Sequence, residues 1–257
     1  MFQEINGKKM AVDVFGEGEP MLLVHGLGGS SNLWRPLINE FSSQFKMIVP
    51  DLPCAARSSN DPNLSISSLA TDMLTLLDSL DIGQAHAVGH SMGTIVCQHM
   101  TAMAPGRVTD LVLLGPVAQV PEAARGPIKD RAALAREQGM EPIADATATT
   151  ALSADTMQSN PNAQGFVREM VIRQDPEGYA LSSIALSEST QANLDMVTCP
   201  CLLITGDEDL VAPASNVEAL SGLIANSEMH VLDKCGHWTP TERPKEVIAL
   251  MNAFYGS

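Results

Sequence analysis

"HAVGHSMGTIV", residues 86–96, places Ser91 between two glycines where one apolar run gives way to another. The run up to the serine reads as a short buried strand, and Met92 to Met103 reads as a helix. Gly89 and Gly93 stand two residues to either side. An ordinary βα turn can carry this G-x-S-x-G pattern. At a strand-to-helix corner, the same pattern lifts a serine hydroxyl above the sheet. The rest of the chain has to decide between the two.

Working outward, strand-like apolar runs recur as "MAVDVFG", "PMLLVHG", "KMIVPDL", "RVTDLVLLGP", "PCLLITGDED" and "EMHVLDKCG". Helical spacing lies between them, in "LWRPLINEFSSQ", "ISSLATDMLTLLDSLDIG", "NVEALSGLIA" and "PKEVIALMNAFY". Such alternation predicts an α/β fold with a mostly parallel central sheet covered by helices on both faces. Residues 118–190 break the rhythm: they are rich in Ala, Ser and Thr and carry helical patterns but no clear strand. The expected organisation is a core domain, 1–117 and 191–257, with a small helical cap, 118–190, inserted over the ligand crevice.

The chain has 257 residues, 45% of them hydrophobic and 18% charged, enough for one sizeable core. A formal net charge of −15 disfavours nucleic acid and anionic membrane surfaces as partners. No apolar run has signal-peptide or membrane-spanning character, and the five cysteines form no CxxC pair. Reduced thiols in a cytoplasmic setting are therefore expected. The six histidines show no HExxH or Cys/His ligand spacing, so no metal site is expected.

A serine hydroxyl needs a base to take its proton. In the chain order Ser, Asp, His, that base is His237, in "KCGHWTP" just past the strand "EMHVLD". His86, His99 and His230 lie inside strands or a helix, while His25 and His90 lie near the corner but on no later loop. The orienting acid is one of Asp207, Glu208 and Asp209 in "LLITGDEDLVAP"; spacing alone does not choose. Two backbone donors for an oxyanion are expected at Met92, after the serine, and at Leu27 in "LLVHGLGGS". Gly26-Leu27-Gly28 with Asp51 also hints at dinucleotide binding. Against that, position 31 is Ser and helical spacing begins only near Leu33.

Together, "HGLGGS", "DLPCAARS", "GHSMG", "TGDEDLVAP" and "GHWTPTERPKEV" resemble the α/β-hydrolase superfamily. The family's usual G-x-x-D spacing from Gly206 selects Asp209 as the acid. Serine rather than aspartate at position 91 sets the chain apart from epoxide hydrolases and haloalkane dehalogenases. Within the superfamily it is most similar to 3-oxoadipate enol-lactonases, on "SSNLW" and "DPEGYA", and "GHW" is similar to the meta-cleavage C–C hydrolases. The resemblance implies hydrolysis of a small carboxylic ester or lactone through an acyl-enzyme on Ser91, with no cofactor. A C–C hydrolase, or a lyase or binding protein on the same fold, is the alternative. Pocket candidates are His25, Gly26, Trp34 and Trp238. For an anionic enol-lactone, Arg168 and Arg173 are added, with Arg35 beside them. Three positions depart from the family: Cys54 and Ala56 stand where glycines are usual, and Thr94 replaces a second glycine after the corner. The oligomeric state is not legible.

Overall fold

A computed structural model describes residues 1–256. The N-terminal part runs β1 (Phe2–Ile5), β2 (Lys8–Phe15), β3 (Glu19–Val24), α1 (Arg35–Phe41), β4 (Phe45–Pro50) and α2 (Ile66–Ser79). The corner follows, as β5 (Ala85–His90), α3 (Met92–Met103) and β6 (Val108–Leu114). Five helices come next: α4 (Glu122–Gln138), α5 (Glu141–Thr150), α6 (Ala154–Ser159), α7 (Pro161–Ile172) and α8 (Pro176–Ser187). The chain closes with β7 (Cys201–Gly206), α9 (Ala214–Ser221), β8 (Ser227–Leu232), α10 (Thr239–Glu242) and α11 (Pro244–Tyr255).

All eight strands form one sheet in the order β1-β2-β4-β3-β5-β6-β7-β8. β1 and β2 pair antiparallel, as do β2 and β4, and every pairing beyond β4 is parallel. The β1–β2 hairpin turns on Asn6 and Gly7, both at positive φ (49° and 76°), the conformation an Asn-Gly hairpin turn demands. The strand runs read from apolar patterning miss β1, because only Ile5 of its four residues is buried.

The inner strands are covered on both faces, which is why they read as unbroken apolar runs: Met21, Leu22, Leu23 and Val24 are all fully buried. On one face Val24 and Leu113 pack with Leu69, Met73, Ile95 and Val96 of α2 and α3. On the other, Leu23 and Val88 pack with Leu37 and Phe41 of α1 and Val247 and Met251 of α11. Between β6 and β7, α4 packs on α8 and α5 on α7. Helical spacing in this stretch reveals α4, α7 and α8. It does not reveal α5 and α6, where sequences such as "EPIADATATT" carry too few large apolar side chains to mark a face. Among the described residues, no helix is long and apolar enough to cross a membrane.

Candidate active site

β5 passes into α3 with Ser91 as the only intervening residue, at φ 52° and ψ −121°. A side chain rarely adopts this conformation, so the surroundings must hold it there. The Ser91 N–H donates to the Leu114 carbonyl of β6 at 3.0 Å, and its carbonyl accepts from Thr94 N–H at 2.8 Å. The flanking glycines follow from close approach. A Cβ at Gly93 would lie 2.1 Å from the Val24 carbonyl, and one at Gly89 2.7 Å from that of Gly93. Thr94, one of the three departures, adds a clamp. Its hydroxyl donates to the Ser91 carbonyl at 2.6 Å and accepts from Val117 N–H at 3.1 Å, fastening the loop after β6 to the corner.

His237 reaches the serine from the loop after β8. Its Nε2 lies 2.8 Å from Ser91 Oγ, and its Nδ1 lies 2.8 Å from Asp209 Oδ2. A carboxylate can only accept, so Nδ1 carries the proton and Nε2 is left to accept from the serine hydroxyl. The ring is held from behind: His237 N–H donates to Ala151 at the end of α5, and its carbonyl accepts from His90 Nε2 at 2.9 Å. Burial drives the His90 pKa down to about 3, which keeps that ring neutral.

The three neighbouring acids have separate partners. Asp209 is buried, and its Oδ1 accepts from the Val211 and Ala212 amides at 2.8 and 2.7 Å. Burial pushes its pKa up, but His237 and these hydrogen bonds outweigh burial and hold it below the ordinary carboxylate value. Asp207 instead accepts from Cys235 N–H, and Glu208 from Ala154 N–H.

The glycine-rich loop after β3 comes within van der Waals reach of the corner: a Cβ on Gly26 would lie 2.7 Å from that of Ser91. His25 does not enter the pocket. It is buried, donates from Nδ1 to the Gly26 carbonyl at 2.8 Å and accepts at Nε2 from Leu52 N–H at 3.0 Å. Gln174, unmarked by any sequence pattern, ties the loops together. Its amide donates to the Gly28 and Gly29 carbonyls and accepts from Ala56 N–H. Among the described residues, the Leu27 and Met92 N–H groups have no hydrogen-bond acceptor, and Leu27 lines the cavity at Ser91.

Cys54 and Ala56 both sit at positive φ, 66° and 47°, the region that favours glycine. The Cys54 sulfur accepts from Asp61 N–H at 3.0 Å, and burial raises the thiol to about 11. Its role is packing and hydrogen bonding.

A cavity of about 340 Å³ opens at Ser91 and His237, walled by Trp238, by Ile128 and Arg131 of α4, and by Leu210 and Val211 after β7. Besides His25, four of the pocket candidates lie elsewhere. Trp34 is fully buried in the core beneath the sheet's α1 face. Arg168 and Arg173 pair with Asp145 and Glu169 on the outside of α7, whose inner face is Val167, Met170 and Val171. Arg35 lies over the Phe15 ring, lining a different depression. The cation at the cavity is Arg131, which donates to the Tyr179 hydroxyl and sits 5.9 Å from that ring's centre. Its helical spacing with Ile128 and Ala135 was the available signal.

Among the described residues, no group of three His, Cys, Asp or Glu side chains is placed to hold a metal ion. A sequence model of the alpha/beta hydrolase fold matches residues 19–244. The chain belongs to that family. This α/β hydrolase is 29% identical over 235 residues to 3-oxoadipate enol-lactonase 2 of Acinetobacter baylyi, covering 90% of its own length and 87% of the relative's. It is 27% identical to 2-hydroxy-6-oxo-2,4-heptadienoate hydrolase of Pseudomonas putida, covering 93% and 90%. Among solved structures, the enol-lactonase of Burkholderia xenovorans LB400 superposes with a TM-score of 0.93 at 25% identity, covering 100% of each chain.

Proposed function

We propose that this α/β hydrolase cleaves a small carboxylic ester or lactone through an acyl-enzyme on Ser91. The observation that supports this most directly is the unbroken relay from Asp209 through His237 to Ser91, with 2.8 Å at each step. In the first half-reaction the serine oxygen attacks the carbonyl carbon while His237 Nε2 takes the hydroxyl proton. The oxyanion is received by the Leu27 and Met92 N–H groups. Collapse breaks the acyl–oxygen bond, and the leaving oxygen takes the proton back from His237. In a lactone, that oxygen stays on the opened chain. Water then gives its proton to the same nitrogen, attacks the acyl carbon and releases the acid and Ser91. Asp209, held ionised, keeps the imidazole in the tautomer that both halves require.

Residues 118–190 act as the cap in this reading, and Arg131 is the group that would receive a substrate carboxylate. A C–C bond hydrolase is the second reading, favoured by the similarity to the heptadienoate hydrolase. The test is a panel of esters, lactones and vinylogous diketones with Ser91→Ala beside the wild type. Ester or lactone turnover should fall by about 10³-fold or more in the variant. Turnover confined to the diketones selects the second reading, and an unimpaired variant overturns both.

A further inference from the structure

A depression of about 360 Å³ lies between the loops after β3 and β4 and the end of α7. None of the residues that line it lines the cavity at Ser91. Its side-chain acceptors are already spent. Asp13 accepts from Nη1 and Nη2 of Arg57, and Asp51 from Arg57 Nε and the Ser31 N–H. Gln174 Oε1 accepts from the Ala56 N–H. Its donors are not spent. Ser30 and Ser31 are 5% and 7% exposed, and their oxygens accept from the Asn32 N–H and Arg57 Nη2. Among the described residues, neither hydroxyl proton has an acceptor. The side-chain amide of Asn32 and the guanidinium of Arg35 make no hydrogen bond or ion pair among those residues, and Arg173 commits only Nε, to Glu169.

Two buried hydroxyls and two arginines thus offer unspent protons to one space, and the group that complements them brings acceptors and no donors. The charge around the space also differs from that of the molecule. The guanidiniums of Arg35, Arg57 and Arg173 meet the carboxylates of Asp13, Asp51 and Glu169, a balanced patch on a chain with 30 acids and 15 bases. An anion repelled by the molecule as a whole is not repelled there. We propose that this depression binds a small oxyanion, a dicarboxylate or inorganic phosphate, at a site separate from the cavity at Ser91. The anion's oxygens accept the hydroxyl protons of Ser30 and Ser31 and the free N–H groups of Arg35 and Arg173.

Isothermal titration calorimetry of the full chain with succinate, and separately with inorganic phosphate, tests the site at neutral pH and constant ionic strength. The wild type should bind one anion per chain, and the tighter of the two names the source. Arg35→Gln and Arg173→Gln should each weaken that anion by about tenfold or more, the loss of one charge-assisted contact. Both arginines are exposed, and the folding of each variant is checked by its circular dichroism and melting temperature. Arg131→Gln removes the cation at the Ser91 cavity and should leave the affinity within about twofold of the wild type, as expected of a distant site. Three results overturn the proposal: no binding of either anion by the wild type, an affinity that Arg35→Gln or Arg173→Gln leaves untouched, or an equal or larger loss in Arg131→Gln.

Discussion

Asp207 and Asp209 differ by two positions in sequence and by their whole environment in the fold. Asp209 is 3% exposed and spends one oxygen on His237 and the other on two amides, whereas Asp207 caps a turn through Cys235 N–H. Replacing Asp209 by Asn offers the imidazole an amide that can hydrogen-bond the wrong tautomer and places an N–H₂ group where an acceptor is needed. Asp209→Asn should therefore lower kcat by about 10³–10⁴-fold in a folded protein, and Asp207→Asn by no more than a few-fold. Steady-state kinetics on one ester substrate checks the ranking, and the reverse order would move the orienting role to Asp207. At this scale the sequence was readable where a residue type stands at a marked chain position: the expected pair Ser91 and His237 lie side by side in the fold. Residues that act through geometry were less readable. Nothing in "DLPCAARS" announces that Cys54 and Ala56 adopt positive φ, because glycine is the usual signal for that conformation and it is missing. Gln174 likewise joins two loops from far along the chain, and no local pattern reports such a contact.

Strand β5 is anchored at its end remote from Ser91 by His86, which faces Asp110 of β6 and Glu19 of β3, with the Thr109 hydroxyl and the Tyr255 ring beside it. Burial lowers the pKa of His86, but its hydrogen bonds and charge attraction to Asp110 and Glu19 outweigh burial and raise it above 6.5. A group whose folded pKa is raised stabilises the fold fully below its unfolded value and loses that contribution as pH climbs through the folded one. Urea midpoints should accordingly fall as pH rises above about 6.5, and His86→Asn should flatten that slope. An unchanged slope in the variant would assign the pH dependence to other groups. Among the elements, α3 and α11 were legible because large apolar side chains recur along them at helical spacing. Helices α5 and α6 were not, since alanine and threonine mark no face, and β1 was hidden by its exposure. The misplaced arginines have another cause: spacing marks the apolar face of α7 but does not place charged residues at the cavity, and Arg168 on α7 and Arg173 just after it pair with Asp145 and Glu169.

Over the whole molecule, a formal charge of −15 opposes the approach of any anionic substrate, and Arg131 is the cation that meets it at the cavity. Its guanidinium donates to a neutral tyrosine hydroxyl, whereas Arg136, one turn further along α4, is paired with Glu177. Arg131→Gln should lower kcat/KM for a carboxylate-bearing lactone by about tenfold and change a matched neutral lactone by less than threefold. Salt should raise kcat/KM for the anionic lactone in the variant, where only the overall repulsion remains to be screened. Equal losses on both lactones would reduce Arg131 to a packing residue of the cavity wall. Loops from β3, β5, β7 and β8 converge on one serine, and the proposed reaction turns on a single covalent event there. A fluorophosphonate probe followed by peptide mass mapping tests that event most directly. The proposal predicts one adduct per chain, on Ser91, absent in Ser91→Ala and formed far more slowly in His237→Gln. An adduct on another residue, or an unmodified Ser91 in enzyme that hydrolyses its ester, would contradict it.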